Sequence, residues 1–388
     1  MNVLMLNPSG SAFGYVHALC NALAGRGARV RLLTSPAWER DLVGLQTVAY
    51  DWEPAFYPRT FLRSQAPGPA RALWRGLRLV EHAAGWAAVR RALADADVVH
   101  AQWLPVPELD IAPLHAVARA RPLAFTAHNL LPHDQPATLA RRALWRGIYA
   151  APHAVFAHTT GAARALHERF GVRAERVTRI PHGSFDYLLE HPTPAPASGP
   201  PTILCFGFIG PYKGVDVLLR ALPAVRRAVP EVRVRIIGRP RGPLAPLRRL
   251  IAELGLGDAV ELHPERVPES ELGAIFGAAS VVALPYREIA QSGVAITACT
   301  FGRALVASDV GGLGELVRSA DNGLLVPPGD HVALAQALVR VLGDDALRGG
   351  FEASSRAYAE RALAWDPIAA TTLAAYASAR ERAARGGG

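Results

Sequence analysis

The run Ile203-Leu204-Cys205-Phe206-Gly207-Phe208-Ile209-Gly210-Pro211-Tyr212-Lys213-Gly214, followed by Val215–Ala221, decides the fold class of this 388-residue chain. An apolar, β-rich segment (Ile203–Gly207) runs into a turn of glycine and proline, and a helical pattern starts directly after it. A strand–turn–helix of this kind brings the free N–H groups of a helix N-terminus to the carboxyl end of a strand, where a phosphate is held. Lys213 sits in that turn. It is the only lysine among 42 cationic residues, and a compact ammonium neutralises a diphosphate as a point charge.

Downstream the same grammar repeats: Val232–Ile237, Val260–Leu262, Val281–Leu284 and Ala304–Ser308 read as strands with helices between. Upstream lies His191–Pro201, with five prolines in eleven residues, which continues neither a helix nor a central strand and reads as a linker. Before it, Val3–Leu6, Val30–Thr34, Val98–Ala101, Leu123–Ala127, Ala154–His158 and Val177–Ile180 read as strands, with helices such as Ala12–Ala24 and Thr138–Ala150 between them. Strand–helix alternation on both sides predicts two doubly wound, Rossmann-like α/β domains, with ligands in a cleft at the strand carboxyl ends. The expected boundaries are 1–190 for the first domain, 191–201 for the linker and 202–364 for the second domain. Residues 365–388 form a final helix (Trp365 to about Arg385) that caps the second domain or crosses back to the first.

Length and composition agree with this division, since the chain is too long for one ordinary core. Half of the residues are apolar and 19% charged, a globular composition. Cys20, Cys205 and Cys299 are odd in number and far apart, which suits a reducing compartment and gives no zinc pattern. The apolar start Met1–Leu6 is too short for a signal-peptide core, and no window approaches the ~20 apolar residues of a membrane span. A cytoplasmic protein is expected. The net charge of +9 is uneven: residues 1–189 hold 21 Arg against 13 acids, so +8 falls in that half. Arg63–Arg91, with Arg71, Arg75, Arg78, Arg90 and Arg91 among Leu73, Trp74, Leu77, Leu79, Val80 and Trp86, has the composition of a basic amphipathic helix on an anionic membrane. Thr138–Ala150 is similar, and a solvated helix face explains both equally well. No nucleic-acid partner is expected.

The Gly-x-x-x-Pro-Tyr-Lys-Gly turn with Asp216 and Leu218-Leu219 resembles the donor-phosphate loop of the retaining GT-B glycosyltransferases of family 4. Further segments resemble that family in its order. They are Asp97–Trp103 with His100, Phe125–His133 with His128, Asn129 and His133, Ile180–Gly183 with His182, Glu265–Arg287 with Val267 and Tyr286, Gln291-Ser292-Gly293, and Phe301–Glu315. The resemblance implies transfer of a hexosyl unit from a nucleotide-diphosphate sugar with retained anomeric configuration, in glycoconjugate or polysaccharide biosynthesis, without metal or other cofactor. Leaving-group charge is then stabilised by protein cations and amides. On that reading Lys213 and His128 are catalytic. Gly10, Ser11, Gly207, Tyr212, Gly214, Gly238, Arg239, Val267, Tyr286, Arg287, Glu288, Gln291, Ser292 and Gly293 bind the donor, and His100, Asn129, His133 and His182 face an acceptor of lipid-linked or glycan type.

The sequence departs from the family in two places. Phe208 and Gly210 occupy the positions of an arginine that commonly precedes the lysine, leaving Arg239 or Arg287 to substitute. Ile289 and Thr297 stand where two glutamates are usual, with Glu288 one residue out of register and Gln291-Ser292-Gly293 resembling a known variant. These gaps keep two alternatives open, a degenerate nucleotide-sugar-binding partner and a sugar-nucleotide epimerase. A phosphorylase would require a second lysine. Asp95-Ala96-Asp97 has metal-binding spacing but precedes its strand, and neither G-x-G-x-x-G nor G-x-S-x-G follows one.

Overall fold

The first strand, β1 (Asn2–Leu6), is apolar at four consecutive positions and those four are buried, as in the centre of a parallel sheet covered on both faces. Six further strands join it: β2 (Arg29–Leu33), β3 (Asp51–Glu53), β4 (Val98–Ala101), β5 (Leu123–Thr126), β6 (Ala154–Ala157) and β7 (Val177–Arg179). The second sheet is built from β8 (Thr202–Phe206), β9 (Arg233–Ile237), β10 (Val260–His263), β11 (Val281–Leu284), β12 (Leu305–Ser308) and β13 (Gly323–Val326). The computed structural model describes residues 1–43, 45, 47–61, 71–131, 138–191 and 199–386.

The sheet orders are β3-β2-β1-β4-β5-β6-β7 and β10-β9-β8-β11-β12-β13, and every recorded pairing is parallel. Each sheet therefore reverses direction beside its first strand, between β1 and β4 and between β8 and β11. In open α/β sheets those two carboxyl edges are where ligands bind. The strands absent from the sequence reading are β3 and β13. β3 is a three-residue polar edge strand, and β13 is a Gly-Leu-Leu-Val run with one fully buried residue; neither carries an apolar run long enough to stand out.

The chain divides into two units, Met1–His182 with Trp365–Gly388, and Gly183–Ala364. Residues 183–190 thus belong with the second unit, not with the first as their position before the proline-rich stretch suggested. Leu188 is 2% exposed inside the second core, and the Ser184 amide donates to the Leu363 carbonyl. The helix Trp365–Gly386 belongs to the first unit. Its Tyr376 is fully buried, with the hydroxyl 2.6 Å from His100 Nδ1, and Arg382 Nε donates to the His153 carbonyl at 2.8 Å.

Asp97 lies at the amino edge of the first sheet, accepting from the Asn2 amide at 2.8 Å. It is a strand-entry cap at the wrong end of the sheet for a ligand. No helix among the described residues is long and apolar enough to cross a membrane. In the helix Arg71–Ala92, His82, Trp86 and Val89 are buried. They recur at helical spacing and define its inner side.

Candidate functional site

In the second unit, β8 ends at Phe206 and the chain turns through Gly207 (φ 96°), a single turn Pro211–Lys213 and Gly214 (φ 63°) into the helix Val215–Ala228. Two glycines are obligatory here. A Cβ on Gly214 would stand 1.9 Å from the Pro285 carbonyl oxygen, and one on Gly238 (φ 146°) 2.1 Å from that of Gly207; both φ values lie in the region that L side chains avoid. The β8 and β9 loops are laced together, with the Ile209 amide donating to the Arg239 carbonyl at 3.0 Å and the Arg241 amide to that of Ile209 at 2.7 Å.

This framework buries Lys213, which is 5% exposed. Its Nζ donates to the Phe206 carbonyl at 3.3 Å and to the Tyr286 hydroxyl, and lies 4.2 Å from the Tyr286 ring centroid. Burial pulls the ammonium down from 10.5 to about 8, with Cys205 opposing and Arg241 adding to the effect. A Cβ position built on Gly207 falls 3.1 Å from Lys213 Nζ and 3.1 Å from Val294 Cγ2. Only glycine leaves that space open, and it adjoins the N-terminal turn of the helix Gly293–Thr300, capped by Ser292 Oγ accepting from the Ala295 amide. An ammonium and a helix N-terminus thus border one empty point, an arrangement suited to a diphosphate. Beside Ser292, Gln291 Oε1 is buried with no partner among the described residues, an acceptor open to a ligand hydroxyl.

The remaining expected donor residues distribute as follows. Tyr212 packs at 6.2 Å from Tyr286. Val267 is half-buried, while Arg239 and Glu288 are exposed. Arg287 does not stand as a free second cation. It forms a bidentate pair with Asp216 at 2.9 and 2.6 Å and donates to the Pro211 carbonyl at 2.7 Å, so it braces the lysine turn from outside. Another glycine, Gly311 (φ 47°), opens the helix Gly311–Ala320, where a Cβ would meet the Ile289 carbonyl oxygen at 1.9 Å.

In the first unit the turn after β1 differs from expectation. The Gly10 amide donates to the Asn7 carbonyl at 3.0 Å and the Ser11 amide to Ser9 Oγ at 3.2 Å. Neither is left pointing at a ligand, because fully buried Asn7 closes the turn by donating from Nδ2 to the Ser11 carbonyl at 2.7 Å.

At the carboxyl ends of β4, β5 and β6 the histidines gather. The His128 ring stacks on Trp103 (4.9 Å, 1°) and meets Tyr15 edge-on at 4.8 Å. Its Nε2 lies 2.9 Å from Gln102 Oε1 and its Nδ1 3.3 Å from His158 Nε2. Gln102 Oε1 and the Ile180 carbonyl, 3.3 Å from His158 Nδ1, only accept, so neutral His128 carries its proton on Nε2 and neutral His158 on Nδ1. No proton then lies between His128 Nδ1 and His158 Nε2, and the His128 Nδ1 lone pair is not taken by that neighbour. Burial, then His158, His182 and His100, holds His128 well below the usual imidazole range, and burial takes His100 and His158 to about 3. His100, His128 and His158 are neutral at physiological pH. His182 packs at 5.0 Å from Tyr15 and 5.2 Å from His158, whereas His100 is fully buried between Tyr376 and Thr126 and serves the core. Asn129 lends its carbonyl to Tyr149 Oη at 3.2 Å; His133 lies outside the described residues.

Sequence reasoning missed Tyr15, Gln102, Trp103 and His158. The signal was present for Gln102-Trp103, immediately after β4, and for His158, immediately after β6, because residues one or two beyond a parallel strand reach the ligand edge. Trp103 Nε1 is buried without a partner among the described residues.

Two parallel-sheet α/β units, with a buried lysine and helix N-termini at the second switch point, are the architecture of the GT-B glycosyltransferases. A model of "Glycosyltransferase Family 4" matches residues 14–184 and one of "Glycosyl transferases group 1" residues 200–344. The chain is 31% identical, over 95% of its length and 91% of the relative's, to a D-inositol 3-phosphate glycosyltransferase of Xylanimonas cellulosilytica. It is 30% identical, over 94% of its length and 85% of the relative's, to that of Acidothermus cellulolyticus. The protein belongs to glycosyltransferase family 4. Among solved structures, Anabaena HepE in complex with UDP superposes with TM-score 0.72 at 19% identity, over 97% of this chain and all of that one. Sucrose-phosphate synthase of Thermosynechococcus elongatus does so with TM-score 0.72 at 21% identity, over 97% and 98%.

Proposed function

We propose that this glycosyltransferase moves a hexosyl unit from a nucleotide-diphosphate sugar to an acceptor hydroxyl, with retention and without a metal ion. The observation that carries the donor half is Lys213, a buried ammonium bordering a space that only glycine leaves free. As the sugar–phosphate bond breaks, charge builds on the leaving diphosphate. Lys213 and the N-terminal amides of the helix Gly293–Thr300 meet that charge already in place, so little reorganisation is required. Neutral His128, fixed by Gln102 and the Trp103 ring, orients a hydroxyl through Nδ1 instead of exchanging a proton at neutral pH. The UDP bound by HepE makes a uridine nucleotide the first donor to test, and the relatives' name makes D-inositol 3-phosphate the first acceptor.

The test is a thermal-shift screen of UDP, GDP, ADP and dTDP in EDTA, for wild type and Lys213→Ala, since a ligand of the native state raises Tm by mass action. A shift with one nucleotide, lost in the variant, supports the reading. No shift with any nucleotide at millimolar concentration transfers it to the degenerate-partner alternative.

The same reading places the protein on the cytoplasmic side, in contact with an anionic membrane through the helix Arg71–Ala92. Opposite its buried side lie Leu73 (64% exposed), Leu77 and Val80 (66%), at the i, i+4, i+7 spacing of one stripe. Arg75, Arg90 and Arg91, all exposed, supply charge for acidic headgroups. Flotation with phosphatidylglycerol vesicles tests this contact. Binding lost in Leu77→Gln/Val80→Gln supports it, and absence of wild-type binding removes it.

A further inference from the structure

The second unit contains a polar chain that runs from the buried lysine to a helix cap. Tyr286 follows Pro285 just beyond β11, is fully buried and receives the Lys213 ammonium on its hydroxyl oxygen. Burial above all keeps its own proton on. An ammonium donates only, so the Tyr286 oxygen is its acceptor and the phenol proton is directed elsewhere. Ser292 hydrogen-bonds to Tyr286 in the sense that eases loss of the phenol proton, its hydroxyl donating to the phenol oxygen, while its Oγ also accepts the Ala295 amide and caps the helix Gly293–Thr300. Lysine, tyrosine, serine and helix cap therefore form one connected line, from the cation to the amides on the other side of the open point beside Gly207.

Lys213 has three N–H donors. Phe206 takes one and Tyr286 another, and the third is left for the space beside Gly207. Without the Tyr286 hydroxyl, two donors would seek partners and the ammonium would have no unique direction. We propose that Tyr286 is the positioning residue of the donor-phosphate site. It aims the Lys213 ammonium at the diphosphate and, through Ser292, ties that aim to the helix N-terminus that binds the same group. This role substitutes orientation for the second cation that the sequence lacks at Phe208 and Gly210 and that Arg287, paired with Asp216, does not supply.

The inference rests on the transferase reading, and its test keeps the two apart. The charged and titratable groups around Lys213 are Cys205 on β8, Tyr212 in its own turn, Tyr286 beyond β11 and Arg241 after β9, with the Arg287–Asp216 pair outside the turn. Between about pH 7.5 and 9 the terminal phosphate of a free diphosphate is almost fully ionised and the base has not yet lost a proton, so a loss of affinity in that range follows the ammonium. Titrate UDP, or whichever diphosphate nucleotide the wild type binds, into wild type, Tyr286→Phe, Ser292→Ala and Lys213→Ala by calorimetry across that range. Wild type should weaken as pH passes about 8. Tyr286→Phe keeps the ring packing but removes an acceptor that favours the charged lysine. Its midpoint should therefore fall by roughly one pH unit, with about fivefold weaker binding at pH 8. Ser292→Ala should lie between, and Lys213→Ala should show no midpoint. A Tyr286→Phe variant with the wild-type midpoint overturns the proposal even if its affinity falls uniformly, because a packing defect would do the same. Wild type that binds no diphosphate nucleotide refutes the transferase reading itself.

Discussion

Replacing Lys213 by methionine should make the ligand-free second unit more stable while abolishing its affinity for nucleotide. The ammonium is 5% exposed, and its folded value of about 8 lies below the ordinary 10.5 chiefly because burial disfavours the charge. At ~1.4 kcal/mol for each pH unit of displacement, carrying the charged lysine costs the folded state about 3 kcal/mol at pH 7. A folded value below the unfolded one means that this penalty is complete below pH 8. It shrinks as pH rises between 8 and 10.5 and is absent above. At pH 9.5 about half remains. Methionine matches the stem in length, and Tyr286 retains Ser292 as a partner, so little of the gain is cancelled. For a unit of this size, 1 kcal/mol moves Tm by ~2–4 °C. Urea or thermal unfolding of wild type and Lys213→Met at pH 7 and 9.5, without ligand, measures the difference. The expected result is a Tm higher by roughly 6–10 °C at pH 7 and by about half as much at pH 9.5, with no nucleotide-induced shift in the variant. Equal or lower stability at pH 7 would show that the lysine is already compensated and sink the claim that it awaits an anion.

Gly238→Ala and Gly214→Ala should each destabilise the second unit by ~2–4 kcal/mol and abolish nucleotide binding, since backbone oxygens stand where the methyl would go. Gly257→Ala, with nothing within 4 Å of the new methyl, is the neutral control, and denaturation midpoints compare them. The first unit should lose stability in acid. His100, His128 and His158 are held neutral below their unfolded pKa, so each costs ~1.4 kcal/mol per pH unit below about 6.5, and circular dichroism should show unfolding between pH 6 and 4. Truncation after Ala364 removes Ile368, Ala369, Tyr376 and Ala379 from the first core; limited proteolysis should degrade that unit while leaving 183–364 protected.

The sequence by itself determined the two parallel sheets and the lysine turn. Central strands of a doubly wound sheet are buried on both faces, so their apolar runs stand out, and Gly207, Gly214 and Gly238 mark loops whose backbone demands glycine locally. Lys213 was legible because no other lysine competes with it. Edge strands β3 and β13 left no comparable mark, since an edge needs little apolar surface. The partners of each side chain were decided only by tertiary packing. Arg287 reads as a free phosphate ligand until Asp216, seventy-one residues away, takes both its nitrogens. His128 reads as a proton carrier until Gln102 takes its Nε2 proton and burial beside His158 keeps the ring neutral. Trp365 and Tyr376 lie nearest in sequence to the second unit, yet the buried surface they complete is beside Tyr15 and His100 in the first. Local pattern specifies where a strand ends and a helix begins, because those depend on neighbouring residues. Hydrogen-bond partners and burial depend on segments hundreds of residues apart, and only the packed chain brings them within reach.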